Sequence, residues 1–303
     1  MQGYEAALKI ANLGIKKLIL ATRTTAKGEA TKEKILAQSP LDKSAIQIFE
    51  VEYSSFASVS RFADAVKAST STLDCVLLSA GLAMPRYEVN EEGWEMGLQV
   101  NVLSSALLAI ELLPLLRTAK SNSKHTTHLE FVSSVGYCMV TPEQVAPLIS
   151  DPSASVLQYF NDVTRYTIEK GYCEAKLLLM FVEQGIVESL GGTQGKRGSP
   201  SDPSVLSCCP NQCKTDLGRN FPLAMKAFMS VFQFFFARTA EQGSRTLVTG
   251  LQQGEEAHGR MWMNDQFDDR SPALPQDQWE NLQKRTWKEV LEVLREHKPD
   301  LEV

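Results

Sequence analysis

Clustered metal donors are the first thing missing from this sequence. Its four histidines are scattered at His125, His128, His258 and His297, and its six cysteines (Cys75, Cys138, Cys173, Cys208, Cys209 and Cys213) form no C-x-x-C pair. No metal is therefore expected. No secretory leader stands at the head of the sequence, so reduced structural thiols are expected rather than disulfides, and a cytoplasmic location with them. Positive charge is short as well. The net charge is −5 with a pI near 5.6, and no basic stripe interleaves with aromatics, which argues against a nucleic-acid partner. The stretch that most invites a membrane assignment, Phe221 to Ala237, is shorter than a spanning helix and is interrupted by Lys226 and Gln233, so membrane contact is not expected. A helix covering a hydrophobic substrate pocket is the expectation there, with a plain core helix as the alternative. Internal repeats and low-complexity tracts are missing too.

What is present is an ordinary globular composition. With 43% hydrophobic and 22% charged residues over 303 positions, one large core can be buried, and a single α/β domain over residues 1–303 suffices. Residues 4–13 look helical and stop at Gly14. Lys17 to Ala21 is a short buried strand, 27–38 a polar amphipathic helix, and Ala45 to Tyr53 a strand. Phe56 to Ser69 has helical spacing, and Leu73 to Leu78 is a strand ending in Ser79-Ala80-Gly81. A long helix over 92–118 leads to a strand from Thr127 to Ser133. Proline at 142, 147 and 152 makes 140–165 an irregular insertion. A helix to about Leu190, a loop over 191–204, a strand from Val205 to Cys209, a helix from Thr239 to Thr249, a short strand at 260–263 and a last helix at 277–296 complete the chain. Strands that are apolar throughout and alternate with helices predict a doubly wound parallel sheet covered on both faces. Such sheets bind ligands beyond the carboxyl ends of their strands, where Arg23, Glu52, Ser79, Ser134 and Thr215 fall.

The chemistry is carried by Tyr172-Cys173-Glu174-Ala175-Lys176. A phenol with a pKa of about 10 is a poor acid or base at neutral pH. An ammonium at ~4 Å, with an effective dielectric of ~20, offers roughly 4 kcal/mol, or up to ~3 pKa units, to its phenolate. A serine such as Ser134 can hold a carbonyl or alcohol oxygen while the tyrosine moves the proton. This is the acid/base half of a reaction whose other half is hydride transfer. A second Y-x-x-x-K, Tyr166 to Lys170, runs into Gly171, a poor helix-interior residue, whereas Tyr172 leads into the apolar 176–182. Tyr172 is therefore preferred, and Tyr166 is kept as the alternative.

Taken together, LILATR (18–23), LLSAGLA (77–83), QVNVL (99–103), EFVSSVG (130–136), YCEAK (172–176) and CCPNQCKTDLGR (208–219) resemble the short-chain dehydrogenases/reductases, in particular the retinol-dehydrogenase-like branch found in fungal secondary metabolism. The resemblance implies a Rossmann-like sheet, Tyr172 as acid/base, Lys176 as the group that lowers its pKa and holds the nicotinamide ribose, Ser134 as substrate-orienting hydroxyl, and Asn101 as anchor of a water relay. Ser134 is chosen over Ser133 because the family uses the second of the pair, and alternation along a strand points the two to opposite faces. Thr215 would touch the cofactor beyond the nicotinamide. Three departures accompany the likeness. The family's Asn-Ala-Gly is Ser79-Ala80-Gly81 here, and Glu52 replaces the adenine-contacting aspartate. Of the first strand and T-G-x-x-x-G-x-G turn, only Gly3 has a counterpart. A truncated form of a normal enzyme is the favoured expectation, and an inactive relative the other.

Thr22-Arg23-Thr24, where an acid would accept the 2′-hydroxyl of NAD, suits a 2′-phosphate, so NADP(H) is expected. The leading functional expectation is an NADP(H)-dependent carbonyl/alcohol oxidoreductase acting on a hydrophobic small molecule. A non-catalytic binding or scaffold protein is the runner-up, and a lyase, epimerase or dehydratase on the same fold comes third. Self-association is left open.

Overall fold

The computed structural model describes residues 1–303 apart from 122–124, 219–220, 224, 228–232, 235–236, 269 and 271. The order of elements is α1 (Gln2–Ala11), β1 (Leu18–Thr22), α2 (Thr25–Leu36), β2 (Ile46–Glu50), α3 (Phe56–Ser69), β3 (Cys75–Leu78), α4 (Met96–Ser121), β4 (His128–Val132), α5 (Pro142–Ser150), α6 (Val156–Phe160), α7 (Ile168–Ser189), β5 (Ser204–Cys208), α8 (Ala240–Gly250), β6 (Met261–Met263), β7 (Gln266–Phe267) and α9 (Gln276–His297). Alternation of strand and helix gives a parallel sheet flanked by helices, as the apolar strands predict.

The sheet comes in two pieces. One pairs β1 with β2, and the other runs β3-β4-β5-β6-β7. Every pairing is parallel except β6 with β7. Among the described residues no ladder joins β1 to β3. The central strands β4 and β5 carry the main core: Leu129, Phe131 and Val205 are buried among Leu103, Leu107 and Leu116 of α4 and Leu177, Phe181 and Ile186 of α7. Gly185 lets α9 close onto this face, because a Cβ there would come within 2.3 Å of the Trp287 ring. The indole N–H groups of Trp279 and Trp287 then donate to Gln184 and Ser189 of α7.

Several boundaries differ from the sequence expectations. The long helix begins at Met96 rather than near 92, and its second turn, Gln99–Leu103, is a π-turn. The insertion at 140–165 contains α5 and α6. Pro142 sits in the first turn of α5, where its missing N–H costs nothing, and Thr141 and Gln144 close a capping box. The strand pair β6–β7 is closed by Asn264 and Asp265 in left-handed conformations, a turn signal too short to read in the sequence. α7 starts at Ile168 with Thr167 as its N-cap, so Gly171 lies inside the helix rather than breaking it. Among the described residues α4 is the helix long and apolar enough to cross a bilayer, but 94% of its apolar window is buried inside the fold, as in a core helix. The expectation for 221–237 falls partly on residues outside the described set. The first helix ends at Ala11 with Asn12 as its C-cap rather than at Gly14, which lies in the turn beyond in a left-handed conformation, at φ +79°.

Candidate active site

The end of β4, the π-turn of α4 and the first turns of α7 meet at one place. Ser133 and Ser134 diverge there as strand alternation requires. Ser133 is buried and donates to the Met180 sulfur at 3.3 Å. Ser134 instead caps a 3₁₀ turn, its Oγ accepting from Gly136 N at 3.1 Å, and lies within hydrogen-bonding reach of the Tyr172 phenol. A Cβ on Gly136 would sit 3.4 Å from both Ser134 Oγ and Cys173 Sγ, and 3.9 Å from Tyr172 Cε1. The glycine therefore keeps the approach to the hydroxyl pair narrow but open.

Lys176 follows Tyr172 by one helical turn and is almost fully buried. Its Nζ donates to Val132 O at 2.8 Å and stands 5.7 Å from the centre of the Tyr172 ring. Burial pushes the phenol up to about 12, with the Ser134 hydroxyl pulling against it, and pushes the lysine ammonium down to about 8. In this arrangement desolvation outweighs the attraction between the two groups that their spacing leads one to expect. Asn101 is buried in the π-turn and clasps the chain after β3 from both sides: Oδ1 accepts from Leu82 N and Nδ2 donates to Leu82 O, each at 2.9 Å. Gly81 permits the clasp, since a Cβ there would lie 3.3 Å from Asn101 Oδ1.

Tyr166, the alternative tyrosine, precedes α7 and acts as a brace. Its hydroxyl donates to Met84 O at 2.9 Å, and its ring occupies the space above Gly171, where a Cβ would come within 2.5 Å. Lys170 lies on α7 while Tyr166 lies outside it, so the i, i+4 argument does not apply to that pair. Beyond Leu82 a cleft of about 540 Å³ opens between Met84, Pro85, Arg86, Glu88 and Pro222.

The remaining predicted residues line the other end. Gly3, in the first turn of α1, packs on Ser79 just past β3, where a Cβ would lie 2.8 Å from Ser79 Oγ. Met1, the N-cap of α1, supplies no side-chain acceptor for the first amides of the helix, so this close approach brings the positive end of a helix dipole to the carboxyl end of β3. Ala80 follows Ser79 in the same loop. Arg23, just after β1, is exposed, and no ion pair holds it among the described residues. The threonines beside it are engaged locally: Thr24 caps α2 and Thr22 Oγ1 donates to Thr24 O. Glu52 accepts from Ser54 N at 3.2 Å. Sequence reasoning missed Glu50, which closes β2 and accepts from both Thr25 N and Thr25 Oγ1; an acid at a strand end opposite a helix start was the available signal. Thr215 is half-buried in the loop beyond β5 and accepts from Leu217 N.

The residues that would hold a nicotinamide dinucleotide fit in kind: a buried lysine, a tyrosine and serine in reach of one another, and a helix start packed on the end of a strand. Comparisons with known proteins show the family. The short chain dehydrogenase family model matches residues 2–144. The chain is 48% identical to the short-chain dehydrogenase sdnK of Sordaria araneosa over 96% of its own length and 86% of that protein. It is 37% identical to the short-chain dehydrogenase/reductase phmF of Phaeosphaeria nodorum, over 99% and 85%. Among solved structures the fold resembles that of the Pseudomonas aeruginosa RhlG/NADP active-site complex, with a TM-score of 0.60 and 18% identity over 88% of this chain and 90% of that one. The chain belongs to the short-chain dehydrogenase/reductase family and is an oxidoreductase of the kind that acts on CH–OH groups with NAD(P).

Proposed function

We propose that the chain forms one dinucleotide-binding domain, located in the cytoplasm, that interconverts a carbonyl and an alcohol on a hydrophobic small molecule with NADP(H), in fungal secondary metabolism. The observation that carries this reading is the convergence of Ser134, Tyr172 and Lys176 at the end of β4, with Ser134 Oγ in reach of the phenol and the lysine buried one turn behind it.

When bound, the nicotinamide supplies or accepts the hydride. The chain's own residues handle the proton and the oxygen. Ser134 Oγ holds the substrate oxygen, and the Tyr172 hydroxyl delivers a proton to it in reduction or removes one in oxidation. A phenol pushed up to about 12 stays protonated but is a weak acid, and the phenolate that oxidation needs is scarce, so both directions need its pKa brought down. Lys176 is the cation placed to do this, and its ammonium has donors beyond the one spent on Val132 O to hold a ribose hydroxyl. Asn101 keeps the Leu82 segment closed over the π-turn. Gly3, Ser79, Ala80 and Gly81 form the wall along which a pyrophosphate would run, and the exposed Arg23 guanidinium suits a 2′-phosphate. Glu52 and Thr215 complete the adenine side and the far side of the nicotinamide. The cleft from Met84 to Pro222 is the route for the substrate; its size suits a drug-sized molecule.

The test pairs a binding titration with one variant. NADPH should quench or enhance protein fluorescence saturably, and Tyr172→Phe should retain that binding while losing turnover by about 10²-fold or more. A Phe variant that keeps over about a tenth of the parental rate, beside a Tyr166→Phe variant that does not, transfers the proton role to Tyr166.

A further inference from the structure

Two carboxyl groups outside the proton-transfer site face one small cavity. Glu95 and Glu174 line it together with Leu98, Phe160, Tyr166, Gly171, Ala175 and Leu178, and its volume is about 10 Å³. Both side chains are more than nine-tenths buried, and each has one oxygen, Oε1, without a hydrogen-bond partner. The other Glu95 oxygen caps α4, Oε2 accepting from Leu98 N at 2.8 Å. Glu174 Oε1 stands 3.8 Å from the Arg165 guanidinium, too far for a hydrogen bond, and Arg165 itself is turned onto the Tyr159 ring and Gln144 O.

Two unpartnered carboxylate oxygens facing one small cavity repel each other, and each is costly if ionised and alone. One proton between them removes the repulsion, and a cavity of this size holds one water with polar partners on two sides. Arg165 and Lys170 favour ionised Glu174, whereas Glu88 disfavours ionised Glu95. Glu95 in turn raises Glu174, and the Gly97 and Leu98 amides favour ionised Glu95, so the proton belongs to the pair. The remaining charges and phenols facing the pair are Tyr87 and Asp162, on the loop after β3 and the segment before α7, and Tyr166 between them.

The positions of the two acids give the arrangement its use. Glu95 starts the helix whose π-turn carries Asn101. Glu174 lies between Tyr172 and Lys176 on α7. We propose that Glu95 and Glu174 are positioning residues that share one proton through a bridging water and so fix the Asn101 helix against the Tyr172 helix. The proposal rests on the catalytic reading above for its effect on rate, but not for the link itself.

The linkage sign follows from burial, which raises both carboxyl groups above their ordinary value. The shared proton thus stabilises the fold at low pH, and that contribution is lost as pH rises through the raised range. Glu174→Gln should keep the link without a proton, since its amide can donate to Glu95; Glu174→Ala should break it.

Two measurements test the link. In NADPH oxidation with decanal and benzaldehyde as probe carbonyls, Glu174→Ala should lower kcat about tenfold with the KM for NADPH little changed, because geometry rather than cofactor binding is lost. Glu174→Gln should lose less of its kcat than the parent as pH rises, the alkaline loss due to Lys176 being common to both. An Ala variant as fast as the parent, or a Gln variant that follows the parental pH profile, overturns the proposal. Thermal melting without cofactor gives the second readout. The parental melting temperature, taken relative to Glu174→Gln, should fall as pH rises from about 5 to about 9, and a flat difference also overturns it. Should Tyr172→Phe turn over normally, the catalytic reading fails while the melting comparison still judges the link.

Discussion

The two ends of the sheet are built differently. At the catalytic end every residue of β5 is buried and the strand sits between β4 and β6, under α4 and α7. At the other end, among the described residues, β1 and β2 pair only with each other, most of their residues are half-buried or exposed, and the small core beneath them contains Ala7, Ala11, Leu20, Ile35 and Ile46. Two strands alone are marginal. The proton-transfer groups therefore stand on a preformed, tightly packed base, whereas the strands nearest Arg23 lean on α1 and α2 for support. Chemistry and cofactor affinity should accordingly respond to different kinds of damage.

The hardest blow to the comparison is Lys176→Met. It removes a buried cation that serves both the Tyr172 phenol and a ribose contact, so kcat should fall by about 10²–10⁴ and NADPH affinity should fall with it. Steady-state rates and a fluorescence titration check both; a silent variant would show that the buried lysine is only structural. Ile46→Ala comes next, at about 2–4 kcal/mol for a fully buried side chain. Hydrogen exchange should speed up over 18–50 while β4 and β5 stay protected, and a uniform loss across the sheet would mean the two ends unfold as one. Arg23→Asp is milder: it should turn a preference for NADPH over NADH by about tenfold to a hundredfold, or about 1.4–2.8 kcal/mol, without touching kcat for the better cofactor. Equal parental affinity for both cofactors contradicts that role.

The smallest effect sharpens the picture of the packed end. Glu183 of α7 is buried beside Ser207, and burial pushes its carboxyl up to about 8 from an ordinary 4.5, with the Ser207 hydroxyl pulling against it. The neutral acid is favoured in the fold, so its contribution to stability is full below about pH 4.5 and is lost as pH rises through about 8. Glu183→Gln should gain on the parent by a few degrees in melting temperature across that window. Glu130, on β4, is shifted in the same direction, so the readout is the difference between variant and parent. A difference that does not change with pH would show that Glu183 has found a partner.

Legibility in the sequence followed the range of the physics. The elements were readable because apolar runs and helical spacing are local: Phe56–Ser69 is placed to the residue and six strands to within three residues at either end, whereas the two-residue β7 was not foreseen. Strand alternation is local too and points Ser133 and Ser134 to opposite faces, but the choice between them came from the family likeness. The role of Tyr166 could not be read in the sequence, since what decides it is a carbonyl 82 residues away, at Met84, and a glycine that admits its ring. The π-turn at Gln99–Leu103 and the helices within 140–165 were unreadable for a related reason. Each depends on what packs against it: Asn101 on Leu82, and α6 on Glu289 of α9, whose carboxylate accepts from Val156 and Leu157 N.

By itself the sequence determined the alternation of strand and helix, the parallel sheet, and which residue types could move a proton, because propensity, periodicity and chain spacing act over a few residues. Only the tertiary structure decided how those residues are charged and held. Burying Tyr172 and Lys176 moves their pKa values apart, up to about 12 and down to about 8, and brings Glu95 and Glu174, 79 residues apart, to one cavity. Desolvation depends on every atom that excludes water from a site, and those atoms come from distant parts of the chain.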